Sequence, residues 1–224
     1  MGTTREELHR LSAHVLGRRR FEVSGRFGLR SSPGGVATPA FGPEPEVLRT
    51  AGMALIREVG SRSTSLSLEG STLAGLAEFA GADLGSDFSA GPATMPLGDV
   101  DRPLLLDRGE LAGLAAWFEL GWRVLDHCLA QLSGASTTLQ LWPEHFDAGT
   151  AVDLGPVSVN LGFSAGDAFA DEPYLYVGPW DDRRPGDPAY WNAPFGAYTT
   201  RSQAGDAEAC EAFLRIGLER LMKA

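Results

Sequence analysis

Leu8, Leu11 and Val15 recur at helical spacing behind Thr4 and Glu7, a capping-box pair, and predict a first helix from about Arg5 to Arg18. The chain then turns to short segments broken by Gly and Pro: Arg26–Arg30, Val36–Phe41, Val47–Val59 and Ser63–Leu68. In the last of these Leu66 and Leu68 alternate with serine, the period of a strand. This is the pattern of a β meander. Ser71 is placed to cap a short helix through Leu73, Leu76, Ala77 and Ala80, which Gly81 ends. Residues 82–106 carry Gly, Pro, Asp and Ser with little periodicity and read as a linker or covering loop.

Asp107 and Glu110 open the most strongly patterned helix, Arg108 to Leu132. Leu111, Leu114, Phe118, Trp122, Leu125, Leu129 and Leu132 make one stripe, and Trp117, Leu120, Val124 and Cys128 a second. Only Glu119, Arg123 and Asp126 mark a narrow polar side, so this helix is expected at the centre of the fold. Strands are then predicted at Thr137–Trp142, Ala151–Leu154, Val157–Phe163 and Pro173–Trp180. Asp206 caps a final helix with Cys210, Phe213, Leu214, Gly217 and Leu221 on its buried stripe.

Strands that cluster instead of alternating with helices predict an α+β fold. Its expected parts are mostly antiparallel sheets, a long central buried helix, and N- and C-terminal helices. One α+β domain over 1–224 is the expected organisation. Two lobes similar in plan, 1–81 and 107–224, joined by the loop 82–106, are the possible subdivision.

The 224 residues carry a net charge of −10, which argues against a general nucleic-acid binder. Residues 1–62 hold 10 basic and 6 acidic groups, whereas 63–224 hold 9 and 23. No Lys or Arg lies between Arg123 and Arg183. That stretch reads either as a solvated acidic surface or as a face for a cation or basic partner. With no apolar run long enough to span a bilayer, no signal-peptide core and only Cys128 and Cys210, the expected location is the cytoplasm and no membrane partner is expected.

Leu141-Trp142-Pro143-Glu144-His145-Phe146-Asp147 is the densest stretch of candidate chemistry. Proline after a strand makes a turn, so Glu144, His145 and Asp147 fall at a strand end, where His145 and Asp147 can orient one another as a general base or metal-bound imidazole requires. These three are the catalytic candidates. A metal would draw on His145, Asp147 and Asp167, with Asp171 or Glu172 nearby, although no HxH, HExxH or EF-hand spacing occurs. A serine nucleophile, Ser158 or Ser164 with His145, has no GxSxG support. No motif indicates a cofactor. His9 and His14, five apart on a 3.6-residue helix, are expected at the surface, and His127 as a helix residue with its bonds satisfied.

The run Val157–Phe163 alternates, turning Ser158, Asn160 and Gly162 to one face. Tyr174 and Tyr176 share a face of the next strand. Trp142, Asn160, Tyr174, Tyr176 and Trp180, with Gln140 and Trp191, are the ligand-binding candidates: an aromatic-walled cleft edged by polar groups, or equally aromatic cover over the sheet.

LWPEHFD, the turn Asn160-Leu161-Gly162-Phe163-Ser164-Ala165-Gly166-Asp167 and Glu172–Trp180 (EPYLYVGPW), together with Gly25–Gly35, resemble a family of uncharacterised actinobacterial proteins with LWPEHFD, an NxGxSPGD-like turn and EPYLYVGPW. Ala165 stands where that pattern has proline. The family has no established activity, so the resemblance implies a cytoplasmic protein and no particular reaction.

Three readings of function follow. One is a small-ligand-binding protein with its cleft at the LWPEHFD segment, among Trp142, His145, Asn160, Tyr174, Tyr176 and Trp180. Another is a metal-assisted hydrolase using Glu144, His145, Asp147 and Asp167. The third is an acidic module that binds a basic partner.

Overall fold

The computed structural model describes residues 3–132 and 135–223. Its elements are α+β throughout: two five-stranded antiparallel sheets, a long helix over Arg108–Gln131, and helices at both ends. By their internal contacts the residues form two compact units, Met1–Ala116 with Leu141–Phe146, and Trp117–Gln140 with Asp147–Ala224.

The first unit begins with α1 (Thr4–Leu11), a π-helical segment (Ser12–Gly17) and α2 (Arg18–Ser24). The capping box lies one residue earlier than expected. Thr3 Oγ1 accepts from Glu6 N at 3.3 Å, while Glu6 Oε2 accepts from Thr3 N at 2.7 Å. Glu7 is instead fully buried and pairs with Arg10 at 3.0 Å and with Arg102. The helix also runs on past Arg18, to a left-handed Gly25 at φ 68°.

The π segment overturns the surface placement of His9 and His14. A wider turn carries positions five apart towards the same side, and here His9 is half-buried and His14 only 5% exposed. His14 Nε2 bonds Met95 O at 2.6 Å. Arg10 donates to Leu97 O and Asp99 O, and Arg18 donates to Ser86 O at 2.6 Å. The covering loop 82–106 is therefore strapped to the first helix by basic side chains that satisfy its carbonyls.

β1 (Arg30–Ser32), β2 (Gly35–Ala37), β3 (Glu46–Ala51), β4 (Ala54–Val59) and β5 (Arg62–Ser67) form the first sheet in that order. The run Val47–Val59, expected as one segment, is a hairpin bent at Gly52, φ 55°. Leu48 and Leu55 are fully buried, each contributing about 1.5–3 kcal/mol by leaving water. α3 (Leu73–Ala80) is capped by Thr72, whose Oγ1 accepts from Gly75 N at 3.1 Å. Ser71, the expected cap, instead donates to Ser67 O. Gly81 ends the helix at φ 74°, as its position implies.

α4 (Arg108–Gln131) starts behind Asp107, whose carboxylate accepts from Glu110 N at 2.8 Å. It passes into the second unit at Trp117. There follow β6 (Gln140–Trp142), β7 (Asp147–Asp153), β8 (Ser158–Ser164), β9 (Tyr174–Pro179) and β10 (Ala197–Thr200), in the sheet order β10-β9-β8-β7-β6. β10 lies between Trp180 and the Asp206 cap, where no strand was expected. α5 (Arg201–Ala204) and α6 (Ala207–Met222) close the described chain, and Asp206 caps α6 through Ala209 N at 3.0 Å.

Trp117, Val124 and Leu125 of α4 and Cys210, Leu214, Leu218 and Leu221 of α6 share one core with Val159, Leu161, Phe163, Leu175 and Val177. Gly121 lets α4 approach this sheet, since a Cβ there would stand 2.5 Å from the Phe163 ring. Among the described residues no helix is long and apolar enough to cross a membrane.

Candidate functional site

Period-two alternation divides the second sheet into a core face and a far face. The register pairs Asp147 with Ser164, Gly149 with Gly162, and Ala151 with Asn160. On the other side of β8, Asn160 pairs with Gly178, Gly162 with Tyr176, and Ser164 with Tyr174. All of these turn to the far face, as do Tyr198 and Thr200 of β10 through their pairing with Tyr176 and Tyr174. Asn160, Tyr174, Tyr176 and Trp180 are thus brought together as the alternation implies.

Gly162 does not leave a place for a ligand to reach the backbone. The Tyr176 ring lies across it, within 2.5 Å of where a Cβ would be, and carries its hydroxyl past Gly149 to the Asp147 carboxylate. Asp147 is 8% exposed. Burial first, and the adjacent negative charge of Asp147 second, push the Tyr176 phenol well above its ordinary range. Next to it, Tyr174 Oη donates to Asp167 Oδ2 at 2.8 Å, and burial followed by that bond likewise raises its pKa. Both phenols stay protonated at neutral pH and act as donors, not as bases.

Asp167 also holds its own turn. Its Oδ1 accepts from Phe169 N at 2.8 Å and Ala170 N at 3.2 Å. The turn presents Phe169, 42% exposed, to Tyr174, Phe195 and Tyr198, with ring centroids 4.9–5.9 Å apart and planes near perpendicular. At the other end of the face Trp180 is 66% exposed, yet fixed. Its Nε1–H donates to Asn160 Oδ1 at 2.9 Å and its backbone N–H to Ser158 O at 2.9 Å. Gly178, between Tyr176 and Trp180 along the strand, is buried, and a Cβ there would stand 3.6 Å from Phe195 O.

The LWPEHFD segment has a different character. In the first unit, Leu141 exchanges both backbone bonds with Leu29, and Phe146 N closes the turn on Trp142 O at 2.8 Å. Among the described residues Phe146 is the one non-glycine with positive φ, 56°. It is buried, and His9 stacks on it at 5.1 Å with planes 9° apart, while His9 Nε2 bonds Pro143 O at 2.8 Å. Burial lowers the His9 pKa, so the ring is neutral and its Nε2–H donates. Glu144 Oε1 accepts from Ala93 N at 3.1 Å. Trp142 is partly buried on β6.

The exposed His145 ring lies 3.7 Å from Glu144, and Asp147 receives the Tyr176 phenol. The polypeptide turns sharply at the left-handed Phe146 between them. Ser164 is buried with its Oγ accepting from Gly166 N at 3.1 Å, so it serves a turn. Among the described residues no group of three or more His, Cys, Asp or Glu side chains is placed to hold a metal ion. His127 bonds Gln131 at 2.7 Å on its own helix, as expected.

Sequence reasoning placed His9, which orders the turn, at the surface, and passed over Phe169, Phe195 and Tyr198, which surround Tyr174. Phe169 had a usable signal, an aromatic residue two positions after the Asx-turn residue Asp167. Comparison of the chain with known protein families, curated proteins and solved structures gave no match.

Proposed function

We propose that the far face of the second sheet binds a small molecule, with the Trp180 indole as its stacking platform. The observation that carries this is a large apolar ring left two-thirds exposed, 66%, while its one polar atom is tied to Asn160. Exposing an indole forgoes its burial, and fixing its rotamer costs entropy. A surface ring that serves nothing needs no such restraint. The Asn160 carboxamide nitrogen carries two N–H donors at the same point, and Tyr176 precedes Trp180 by four residues on the same face of the strand. This combination of an aromatic face and a few polar groups suits a ligand site.

The reading is of a binding protein and not of a metal-assisted hydrolase. His145 faces water beside Glu144, and Asp147 accepts the Tyr176 phenol. The LWPEHFD turn then contributes Asp147 to the face, while Trp142, Glu144 and His145 belong to the turn in the first unit. Two free thiols, Cys128 and the buried Cys210, support a cytoplasmic setting. The resemblance to an actinobacterial family with LWPEHFD and EPYLYVGPW is part of the same proposal.

The test is ligand-observed NMR of a fragment library of sugars, amines, aromatic acids and amides against the wild-type protein and Trp180→Leu. Fragments that bind the former and not the latter are the expected result. Hits that ignore the substitution, or capture only of basic proteins in salt-sensitive complexes, would overturn the reading.

A further inference from the structure

We infer that the open edge of the first sheet, strand β5, pairs with the same strand of a second copy of this chain, antiparallel and about a two-fold axis at Thr64. This surface lies in the first unit, and the inference stands apart from the reading of the second sheet as a ligand face.

The backbone supplies the first support. Leu68 N–H donates to Met53 O at 2.9 Å, one step beyond the Ala54–Ser67 pair. Bonded pairs alternate along an antiparallel ladder, so Leu55 with Leu66, Arg57 with Thr64 and Val59 with Arg62 are the bonded pairs of β4 and β5. The bond from Gly60 N–H to Pro45 O at 3.1 Å sets the same phase, because it turns the even-numbered residues of β4 towards β3. Ser63, Ser65 and Ser67 therefore project N–H and C=O away from β4. Ser67 O accepts from Ser71 Oγ at 2.6 Å, but among the described residues no hydrogen bond reaches the outward backbone groups of Ser63 and Ser65. Residues 61–65 are exposed without a break. An edge of this kind is a template for another strand.

The other sheet edges carry devices that close them. Leu29, beside β1, exchanges backbone bonds of 2.7 and 2.8 Å with Leu141 of β6. Along β10 the Asn192 carboxamide takes both outward backbone groups of Tyr198, at 3.0 and 3.1 Å, and Gln203 Oε1 accepts from Thr200 N. β5 has neither proline nor lysine, and its six residues pair with β4 in unbroken register, so no bulge protects it.

The side chains select the occupant. Recognition of a foreign strand relies on pockets for its alternate side chains, and the short serines 63, 65 and 67 along one face wall none. They suit an identical strand. With the axis at Thr64, Ser63 stands opposite the second copy's Ser65, the two threonines face each other and Arg62 stands opposite Leu66. Hydroxyls then pair across the strands and no like charges meet. Antiparallel pairing also carries each Arg62 towards the Glu69 end of the other strand. Residues 30–67, which hold this sheet, carry 4 basic and 3 acidic groups, so the edge belongs to a nearly neutral part of a chain of net charge −10. A closed two-fold dimer is the result.

The experiment is sedimentation velocity of the full chain from about 5 to about 500 μM, which should show a reversible monomer–dimer equilibrium, weak because one strand edge is a small contact. Ser65→Pro removes an N–H that β4 does not use and should weaken association about tenfold or more, while the thermal melt shows the fold retained. Thr64→Lys and Thr64→Asp should each be monomeric alone, because like charges then meet at the axis, and should dimerise when mixed. A monomer throughout the range, a dimer indifferent to Ser65→Pro, or a mixture of the two Thr64 variants that stays monomeric overturns the inference.

Discussion

The Tyr176 ring crosses over Gly162, where a Cβ would meet it at 2.5 Å, and delivers its hydroxyl to Asp147, the residue 29 positions earlier. The absent side chain at 162 is what positions the phenol, and the phenol is what accompanies the carboxylate into a site 8% exposed.

Gly162→Ala therefore acts on a side chain and not on a backbone angle. The methyl group meets the tyrosine ring at 2.5 Å, and the ring must rise or rotate. An overpacked site of this kind costs about 1–3 kcal/mol. Urea unfolding of Gly162→Ala should show that loss, and a Gly162→Ala, Tyr176→Ala double variant should recover less than additive damage. Additive effects would mean that the two positions do not press on one another.

The LWPEHFD turn predicts opposite outcomes for its two histidines. His9 stacks on Phe146 and bonds Pro143 O, so His9→Ala removes a stacking contact and a hydrogen bond and should cost about 1–3 kcal/mol in denaturant unfolding. His145 is exposed, and His145→Ala should stay within about 0.5 kcal/mol. A large loss at His145 with none at His9 would contradict this account of the turn.

Acid should loosen the first helix before the carboxylates titrate. Burial holds the pKa of both His9 and His14 below the ordinary 6.5. At His14 the Arg10 and Arg18 guanidiniums lower it further, against the opposing bond to Met95 O. The unfolded chain takes up these protons near 6.5 and the folded chain only at lower pH. The contribution is thus complete above 6.5 and is lost as the pH falls below it. Unfolding free energy measured from pH 7.5 to 5.5 should decline towards the acid end, and His14→Gln should flatten that slope. An unchanged slope in His14→Gln would assign the effect elsewhere.

Elements whose boundaries are written in local chemistry were legible. Asp206 and Gly81 mark helix ends by capping and by a left-handed backbone, and the alternation Val157–Phe163 identifies the face that Asn160 shares with Gly162. The long helix follows from its two apolar stripes. β10 was missed because its four residues lie between the turn at Gly196 and the cap of α5, too short to show alternation. His9 and His14 were misplaced because a period of 3.6 fails inside a π segment, which nothing in Ser12–Gly17 announces. In the candidate site, neighbours in sequence misled: Asp147 stands two residues from an imidazole, yet its phenol partner comes from β9. The left-handed Phe146 has no signature in its residue type.

The central claim is that the exposed, tethered indole of Trp180 is a binding surface, and one measurement addresses it most directly. The 15N-labelled indole N–H signals of the five tryptophans, assigned by single Trp→Phe substitutions, are followed while the fragment library is added. The account predicts that the Trp180 signal moves saturably with a subset of fragments while the buried Trp117 signal stays still. A Trp180 signal that no fragment moves, or one that moves only together with all the others, would contradict it.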